Sequence, residues 1–240
     1  MPMPYYYSRI PFQKSSISSK ISFHDILGNP QIKGTKVYLN GICFITDKSS
    51  CGGVLYETVF AVLKSGISFI QHRQKEGTRR EIYEEALKLR KLTRYFDATL
   101  IINDHADIAL AVDADGVHLG QEDLPLAEAR RIMGKKIIGV STHDMEQAKA
   151  AEAGGADYIG FGPVFETKTK DAGEPRGVDD LRAIAHNVRI PVVAIGGINI
   201  DNTSSVMQAG AGAVAVASAI CRGDAAENAE QFVSILKNFQ

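Results

Sequence analysis

A regular alternation of short apolar segments and longer amphipathic segments constrains the fold of this chain from Gly41 onward. The apolar segments are rich in β-branched residues and end abruptly at turn residues, which is typical of buried parallel strands. The segments between them carry apolar residues at helical spacing, which predicts crossover helices. Eight such units in about 200 residues predict a (β/α)8 TIM barrel. A doubly wound open sheet has the same alternation and is the alternative.

The predicted strands cover residues 42–46, 67–71, 101–102, 117–119, 136–140, 158–161, 191–195 and 213–217. The predicted helices cover residues 54–63, 79–95, 106–111, 144–153, 178–186, 202–209 and 225–236. The pattern begins only after the first 36 residues, which include a tyrosine run, a serine-rich patch and a single acid. We therefore predict an N-terminal extension of unknown role, 1–36, and a barrel domain, 37–240. The extension lacks the apolar core of a secretory signal.

Composition excludes several classes of partner. Lys and Arg number 27 and Asp and Glu number 28, so no broad positive field favours nucleic acid or an anionic membrane. No apolar run reaches the roughly 18 residues that would span a bilayer. The cysteines Cys43, Cys51 and Cys221 follow no metal-ligand spacing and suggest no disulfide framework. We expect unpaired cysteines, a cytoplasmic location and small-molecule partners, and a homo-oligomer is compatible with the sequence.

Two carboxylates follow neighbouring predicted strands. Asp104 comes directly after the third strand, and Asp123 lies a few residues after the fourth. The carboxyl ends of barrel strands meet on one face, so both side chains would open onto the same mouth. Mg²⁺ prefers oxygen ligands and keeps waters or phosphate oxygens in the rest of its shell. The pair therefore predicts a magnesium site.

Other strand ends carry residues suited to phosphate. Gln71, Arg73 and Lys75 alternate after the second strand, so they would share one side and could clamp a diphosphate. A solvated charged turn is the other interpretation. Ser141 and His143 end the fifth strand, and we expect His105 and His118 to be structural. A long Gly- and Pro-containing loop follows the sixth strand and is typical of a lid.

Small residues follow the last two strands. Gly196-Gly197 comes after the seventh and Ala217-Ser218 after the eighth. Loops in these places commonly bind phosphate through backbone N–H groups, and glycines permit the close approach.

Together these motifs resemble those of the thiamine phosphate synthase family in order and in spacing, from about Gly41 to the C-terminus. They are Gln71-x-Arg73-x-Lys75, Asn103-Asp104, the run from Gly116 to Asp123, the run from Gly139 to His143, the run from Gly162 to Lys170, Gly196-Gly197-Ile198 and Val216-Ala217-Ser218. The resemblance implies coupling of hydroxymethylpyrimidine diphosphate with a thiazole phosphate and release of pyrophosphate. It implies Mg²⁺ as the cofactor.

The resemblance also implies a role for each matching residue. Asp104 and Asp123 would hold Mg²⁺, and Gln71 would contact the pyrimidine. The diphosphate would be bound by Arg73, Lys75, Asn103, Ser141 and Lys170. Among these the catalytic residues would be Arg73, Lys75, Ser141 and Lys170. The thiazole phosphate site would be lined by Thr167, Thr169, Gly197, Ala217 and Ser218.

The sequence departs from the family pattern at His72, Gln74 and Glu166, and the first two replace a leucine and a glutamate that are usual in the clamp. Phe165-Glu166-Thr167 is closer to the related thiazole tautomerase, which would use His143 for proton transfer. A non-catalytic regulator that kept the ligand pocket is a further alternative. An unrelated phosphate-binding barrel isomerase would leave the carboxylates and the clamp without a role.

Overall fold

Eight parallel strands close into a barrel in which each strand pairs with its neighbours along the chain. The computed structural model describes residues 39–48, 50–167 and 173–239. Strand β1 pairs with β8, with Gly41 opposite Ala213, which confirms the TIM barrel over the open sheet. The strands are β1 (Gly41–Thr46), β2 (Phe69–His72), β3 (Thr99–Asn103), β4 (Gly116–Leu119), β5 (Ile137–Thr142), β6 (Tyr158–Phe161), β7 (Val192–Ile195) and β8 (Ala213–Val216).

Helices follow the strands around the outside. They are α1 (Leu55–Lys64), α2 (Arg79–Tyr95), α3 (Ala106–Ala111), α4 (Leu126–Met133), α5 (Met145–Ala153), α6 (Gly177–Asn187), α7 (Ile200–Gln208), α8 (Ser218–Cys221) and α9 (Ala225–Leu236), and a 3₁₀ turn, Lys237–Phe239, ends the described chain. Helices α4 and α8 were not predicted. Helix α4 has only eight residues and buries only Ala129 and Met133, and α8 is a single turn.

The core has two layers, and only the outer layer is large. Apolar side chains between the strands and the helices form the main cluster. A smaller cluster fills the barrel interior, and its members are Cys43, Ile45, Phe69, Ile101, Ile137, Tyr158, Val193, Ala213 and Ala215. These side chains fill the interior, and the cavity that remains lies at the carboxyl ends of the strands. We call this open end the mouth of the barrel.

Two aspartates fasten the helices to the amino ends of the strands. Asp115 accepts the Leu100 backbone N–H at 2.7 Å and is paired with Arg90 through both carboxyl oxygens, at 2.8 and 3.2 Å. Asp157 makes equivalent contacts: it accepts the Ile138 backbone N–H and is paired with Arg130. The Arg90–Asp115 pair is almost fully buried, so each charge depends on its partner.

We expect Asp115→Ala to lower the free energy of unfolding by about 3 kcal/mol, because it leaves the Arg90 guanidinium buried without its counter-charge. Urea denaturation at neutral pH measures the change. The matched control is Asp179→Ala, which removes an exposed aspartate paired with Arg182 on the surface of α6 and should cost less than about 1 kcal/mol. Equal effects of the two substitutions would contradict the assignment.

The expectation of unpaired cysteines is wrong for two of the three. Cys51 follows β1 and Cys221 ends α8, and the two form a disulfide with their Cα atoms 5.0 Å apart. They are 170 residues apart in sequence, and the barrel brings them together only because β1 and β8 are neighbours. Cys43 is a buried free thiol. The cytoplasmic location expected from the sequence therefore has no support from the cysteines.

The predicted extension, 1–36, lies outside the described residues, and the boundary with the barrel domain stays a prediction. Within the described part of the chain, no helix combines the length and the apolarity that crossing a bilayer requires.

Candidate active site

The two predicted metal ligands lie together at the mouth of the barrel. The carboxyl groups of Asp104 and Asp123 are in hydrogen-bond contact. Asp104 Oδ2 also accepts the Lys75 ammonium at 2.6 Å, and the Asn103 amide donates to its other oxygen. Asp123 Oδ2 accepts the Gly120 backbone N–H at 2.6 Å. Residues from the ends of β2, β3 and β4 thus meet in one cluster, as parallel strand ends must.

The backbone of Asp104 is held in an uncommon conformation. Its φ is +65°, in the left-handed region that L-residues seldom adopt. Its N–H donates to the His118 carbonyl at 2.8 Å, which fixes this turn against β4. The turn aims the carboxylate at Asp123 instead of continuing the strand. Unfavourable backbone conformations of this kind cluster where function needs a side chain in a set place.

The carboxyl pair titrates unequally. Burial raises the pKa of Asp123, and hydrogen bonding and repulsion from the Asp104 carboxylate raise it further, against the Gly120 N–H. Burial also raises the pKa of Asp104, but the hydrogen bonds from Lys75 and from Asp123 outweigh it and leave the pKa below its ordinary value. Two carboxylates this close share a proton when no cation lies between them.

The donor set fits a magnesium ion. Two oxygen ligands converge on one point, and their mutual repulsion is what a divalent cation would remove. Among the residues that the structure describes, no third His, Cys, Asp or Glu completes a metal-binding group. Protein carboxylates would therefore supply only part of the shell, which matches an ion that also takes phosphate oxygens and waters.

A buried polar network runs beneath the mouth from Gln71 to Ser141. The Tyr158 hydroxyl contacts the Gln71 side chain and lies 2.9 Å from His118 Nδ1. His118 Nε2 lies 2.9 Å from the Ser141 hydroxyl. The Tyr158 ring occupies the space of a missing side chain, since a Cβ on Gly139 would lie 2.1 Å from its Cζ. The network holds Gln71 and Ser141, both predicted to contact substrate, in fixed orientations.

A cavity of about 230 Å³ opens beside this cluster, at the ends of strands β5 to β8 and of β1. Its walls include six of the predicted site residues: Arg73, Ser141, Thr167, Gly197, Ala217 and Ser218. Lys75 lines the adjoining charged groove together with Arg73. Gln71 is buried below, and Asn103 lies with the carboxylates. The predicted residues Thr169 and Lys170 lie outside the described residues.

Glycine is required on the far wall of the cavity. Gly197 has a φ of +63°, and a Cβ there would lie 2.4 Å from the Glu166 carbonyl oxygen. Gly196 has a φ of +99°, and a Cβ there would lie 2.5 Å from Pro163. The backbone after β7 therefore packs directly on the segment after β6. Two residues without side chains therefore line this wall, which suits a phosphate site built from backbone N–H groups.

His143 also lines the cavity. Its Nδ1 lies 2.6 Å from the Gly162 carbonyl oxygen, so this nitrogen carries the proton and the ring orientation is fixed by backbone. Sequence reasoning missed Asp47, which lines both the cavity and the groove, and Tyr158, which it read only as a strand residue. The hydroxyl of Tyr158, in the otherwise apolar strand β6, is the sequence feature that could have indicated its role.

His72, one of the departures from the family pattern, is buried at the end of β2. Burial, together with the smaller effects of the charges of His105 and Lys48, lowers its pKa from 6.5 to about 4. Its Nδ1 lies 3.1 Å from the Thr46 hydroxyl. The ring is therefore neutral at physiological pH.

This burial predicts an acid-sensitive contribution to folding. The pKa of His72 is lower in the folded than in the unfolded chain, so the contribution is present above pH 6.5 and is lost as pH falls toward 4. We expect the loss to reach about 3 kcal/mol. Urea unfolding across this range, compared between the wild type and His72→Leu, isolates the effect. The variant should be less sensitive to acid, and parallel pH profiles would contradict the prediction.

Comparisons with known proteins agree with one another. The family model described as thiamine monophosphate synthase matches residues 42–220. A thiamine-phosphate synthase of Chloroflexus aurantiacus is 50% identical over 182 residues, covering 75% of this chain and 84% of the relative. One from Halalkalibacterium halodurans is 51% identical over 175 residues, covering 72% and 83%. The solved thiamine phosphate pyrophosphorylase from Pyrococcus furiosus is 42% identical, with a TM-score of 0.78 over 83% of this chain and 96% of that one.

Proposed function

The chain belongs to the thiamine monophosphate synthase family, and from this premise we propose that it joins hydroxymethylpyrimidine diphosphate to a thiazole phosphate and releases pyrophosphate. It is a transferase of thiamine biosynthesis, and its product is thiamine phosphate. The observation that carries the residue assignments is the division of the mouth into two unlike halves. Carboxylates and cations lie at the ends of β2 to β4, and a neutral backbone wall lies at the ends of β7 and β8.

The charged half suits the diphosphate. Arg73 and Lys75 present fixed positive charge to the leaving pyrophosphate, and Ser141 and Asn103 add hydrogen-bonding groups. Lys170 is proposed as a further cation there. Mg²⁺ held by Asp104 and Asp123 would neutralise the charge that grows on the diphosphate as it departs. Gln71, held by Tyr158, is proposed to orient the pyrimidine.

The neutral half suits a monoester phosphate. Gly197, Ala217 and Ser218 would contribute backbone N–H groups, and Thr167 and Thr169 hydroxyls. Placing the thiazole nitrogen next to the pyrimidine methylene lets it capture the carbocation that forms when the C–O bond breaks. The aminopyrimidine stabilises that cation by donating electrons, so the chemistry requires no protein nucleophile or general base. Excluding water from the cavity protects the cation until the new C–N bond forms.

The names of the matched relatives favour this assignment over the tautomerase alternative, since each is called a thiamine-phosphate synthase. His143 donates to a backbone carbonyl, which accounts for one ring nitrogen without a catalytic role. The cytoplasmic location stays a prediction, and a homo-oligomer stays compatible with the sequence.

The test is the release of pyrophosphate from purified protein given both substrates. With Mg²⁺ present, we expect pyrophosphate and thiamine phosphate to appear in equal amounts, and excess chelator should stop both. Omitting the thiazole phosphate separates coupling from simple hydrolysis of the diphosphate. Turnover unchanged by chelator would overturn the metal assignment. Exchange of protons on the thiazole phosphate without coupling would instead support the tautomerase, and binding without either reaction would support the regulator.

A further inference from the structure

We propose that Thr46 and His72 are positioning residues that fix the backbone of Arg73, and hence the cationic clamp on the diphosphate. The inference rests on the proposed function, because it assigns Arg73 to the diphosphate. Neither side chain was among the predicted site residues, and the substrate does not need to touch either of them. Their role follows from where the pairing between β1 and β2 ends.

Strand pairing stops one residue before the clamp begins. The last register pair between the two strands is Thr46 with His72, and Arg73 follows immediately. The Arg73 backbone N–H therefore lies beyond the end of the sheet. The Thr46 hydroxyl accepts it at 3.0 Å. A side-chain oxygen thus anchors the backbone one residue beyond β2, at Arg73, which lines the cavity.

The neighbouring histidine fixes the direction of that hydroxyl. A threonine hydroxyl has one proton to donate, and Arg73 takes one of its acceptor positions. The proton can therefore point to His72 Nδ1, 3.1 Å away, which accepts it. This arrangement requires a neutral ring protonated on Nε2. Thr46 is fully buried and His72 nearly so, so water does not compete for these groups.

The surroundings of His72 keep the ring neutral. Its Nε2 lies 3.9 Å from Glu85 Oε1 on α2, beyond a direct hydrogen bond, and the other Glu85 oxygen lies 3.7 Å from the Lys48 ammonium. Nε2 and Glu85 Oε1 have no hydrogen-bond partner among the described residues. His105 and Lys48 are the other charged groups that act on the ring, and both disfavour a second proton. Of the two neutral tautomers, the Glu85 carboxylate on the Nε2 side favours the one with its proton on Nε2, which leaves Nδ1 as an acceptor for Thr46.

The primary test compares three threonine variants. Thr46→Val keeps the shape and removes the hydroxyl, and Thr46→Ser keeps the hydroxyl. Thr93→Val is the matched control, because Thr93 is equally buried but bonds the Arg90 carbonyl in α2, away from the mouth. The probe is inorganic pyrophosphate in the presence of Mg²⁺, and its affinity is measured by isothermal titration calorimetry.

We expect Thr46→Val to weaken pyrophosphate binding roughly tenfold, the value of one buried hydrogen bond. Thr46→Ser should bind within about twofold of the wild type, and so should Thr93→Val. Equal binding by all the proteins would overturn the proposal. Equal loss in Thr46→Val and Thr93→Val would also overturn it, because general destabilisation would then explain the effect.

A second variant pair tests the histidine. His72→Asn can present an amide oxygen to Thr46, whereas His72→Leu cannot accept its proton. We expect His72→Leu to weaken pyrophosphate binding and His72→Asn to restore part of it. In turnover, His72→Leu should raise KM for the pyrimidine diphosphate while KM for the thiazole phosphate stays unchanged. Equal increases in both KM values would contradict a role through Arg73.

The readouts separate this proposal from the proposed function. Pyrophosphate affinity does not depend on coupling, so it can be measured even if the wild-type protein makes no thiamine phosphate. An inactive wild type with a Thr46-dependent pyrophosphate site would reject the synthase and keep the positioning role. An active wild type that is insensitive to Thr46→Val would reject the positioning role alone.

Discussion

Asp104→Asn is expected to lower turnover by on the order of 10³-fold while the protein remains folded. Asparagine tolerates the left-handed backbone at this position, so the substitution removes charge without disturbing the turn. The proposed Mg²⁺ would lose one of its two carboxylate ligands, and Lys75 would lose its counter-ion. Pyrophosphate release at increasing Mg²⁺ measures the effect, and a high Mg²⁺ concentration should recover only part of the rate.

Asp107→Asn is the matched control for this experiment. Asp107 lies three residues further along, is exposed and pairs with Arg79 on the surface. Its removal should leave turnover within about twofold of the wild type. Full activity in Asp104→Asn, with unchanged Mg²⁺ dependence, would reject the carboxylate pair as the metal site.

Gly197→Ala is expected to lower kcat/KM for the thiazole phosphate by about 100-fold. A Cβ at this position would lie 2.4 Å from a backbone oxygen, so the two segments would have to separate. The backbone N–H groups proposed to hold the phosphate would move with them. Steady-state kinetics with each substrate varied in turn measures the effect, and KM for the pyrimidine diphosphate should change much less.

The control for Gly197→Ala must place alanine at a positive φ without bringing its Cβ against a neighbouring atom. Gly155→Ala meets this requirement, because Gly155 has a φ of +84° and open space where its Cβ would lie. It should lower stability by about 1 kcal/mol and leave both KM values unchanged. Should Gly155→Ala impair turnover as much as Gly197→Ala, loss of stability would explain both and the phosphate assignment would fail.

Much of the fold could be predicted because the barrel repeats one local pattern. The helix Arg79–Tyr95 was predicted with about these bounds from its charged amphipathic pattern, and the structure shows that Thr78 and Glu81 begin it with a capping box. Helix α4 escaped notice because it begins after Pro125 without a side-chain cap. The Cys51–Cys221 disulfide depends on closure of the barrel between its first and last strands, and no local spacing reports that contact.

The site residues that could be predicted are those that directly follow a strand, because the fold alone brings strand ends together. Asp104 and Asp123 follow their strands, and the contact between them follows from parallel pairing. The link from Thr46 through His72 to Arg73 could not be predicted, because it depends on which residue is the last to pair in β2. The observed strand ends at His72, one residue later than predicted, and that single residue decides the role of Thr46.

Folding stability and catalytic activity place opposite demands on residue 104. A left-handed aspartate and a close second carboxylate both cost folding free energy, and the Lys75 ammonium offsets part of the second cost. Glycine at 104 would relieve both. Selection for survival of heating alone should therefore enrich this substitution and yield stable, inactive barrels. Any programme to stabilise the protein should hold position 104 fixed and score each round by turnover.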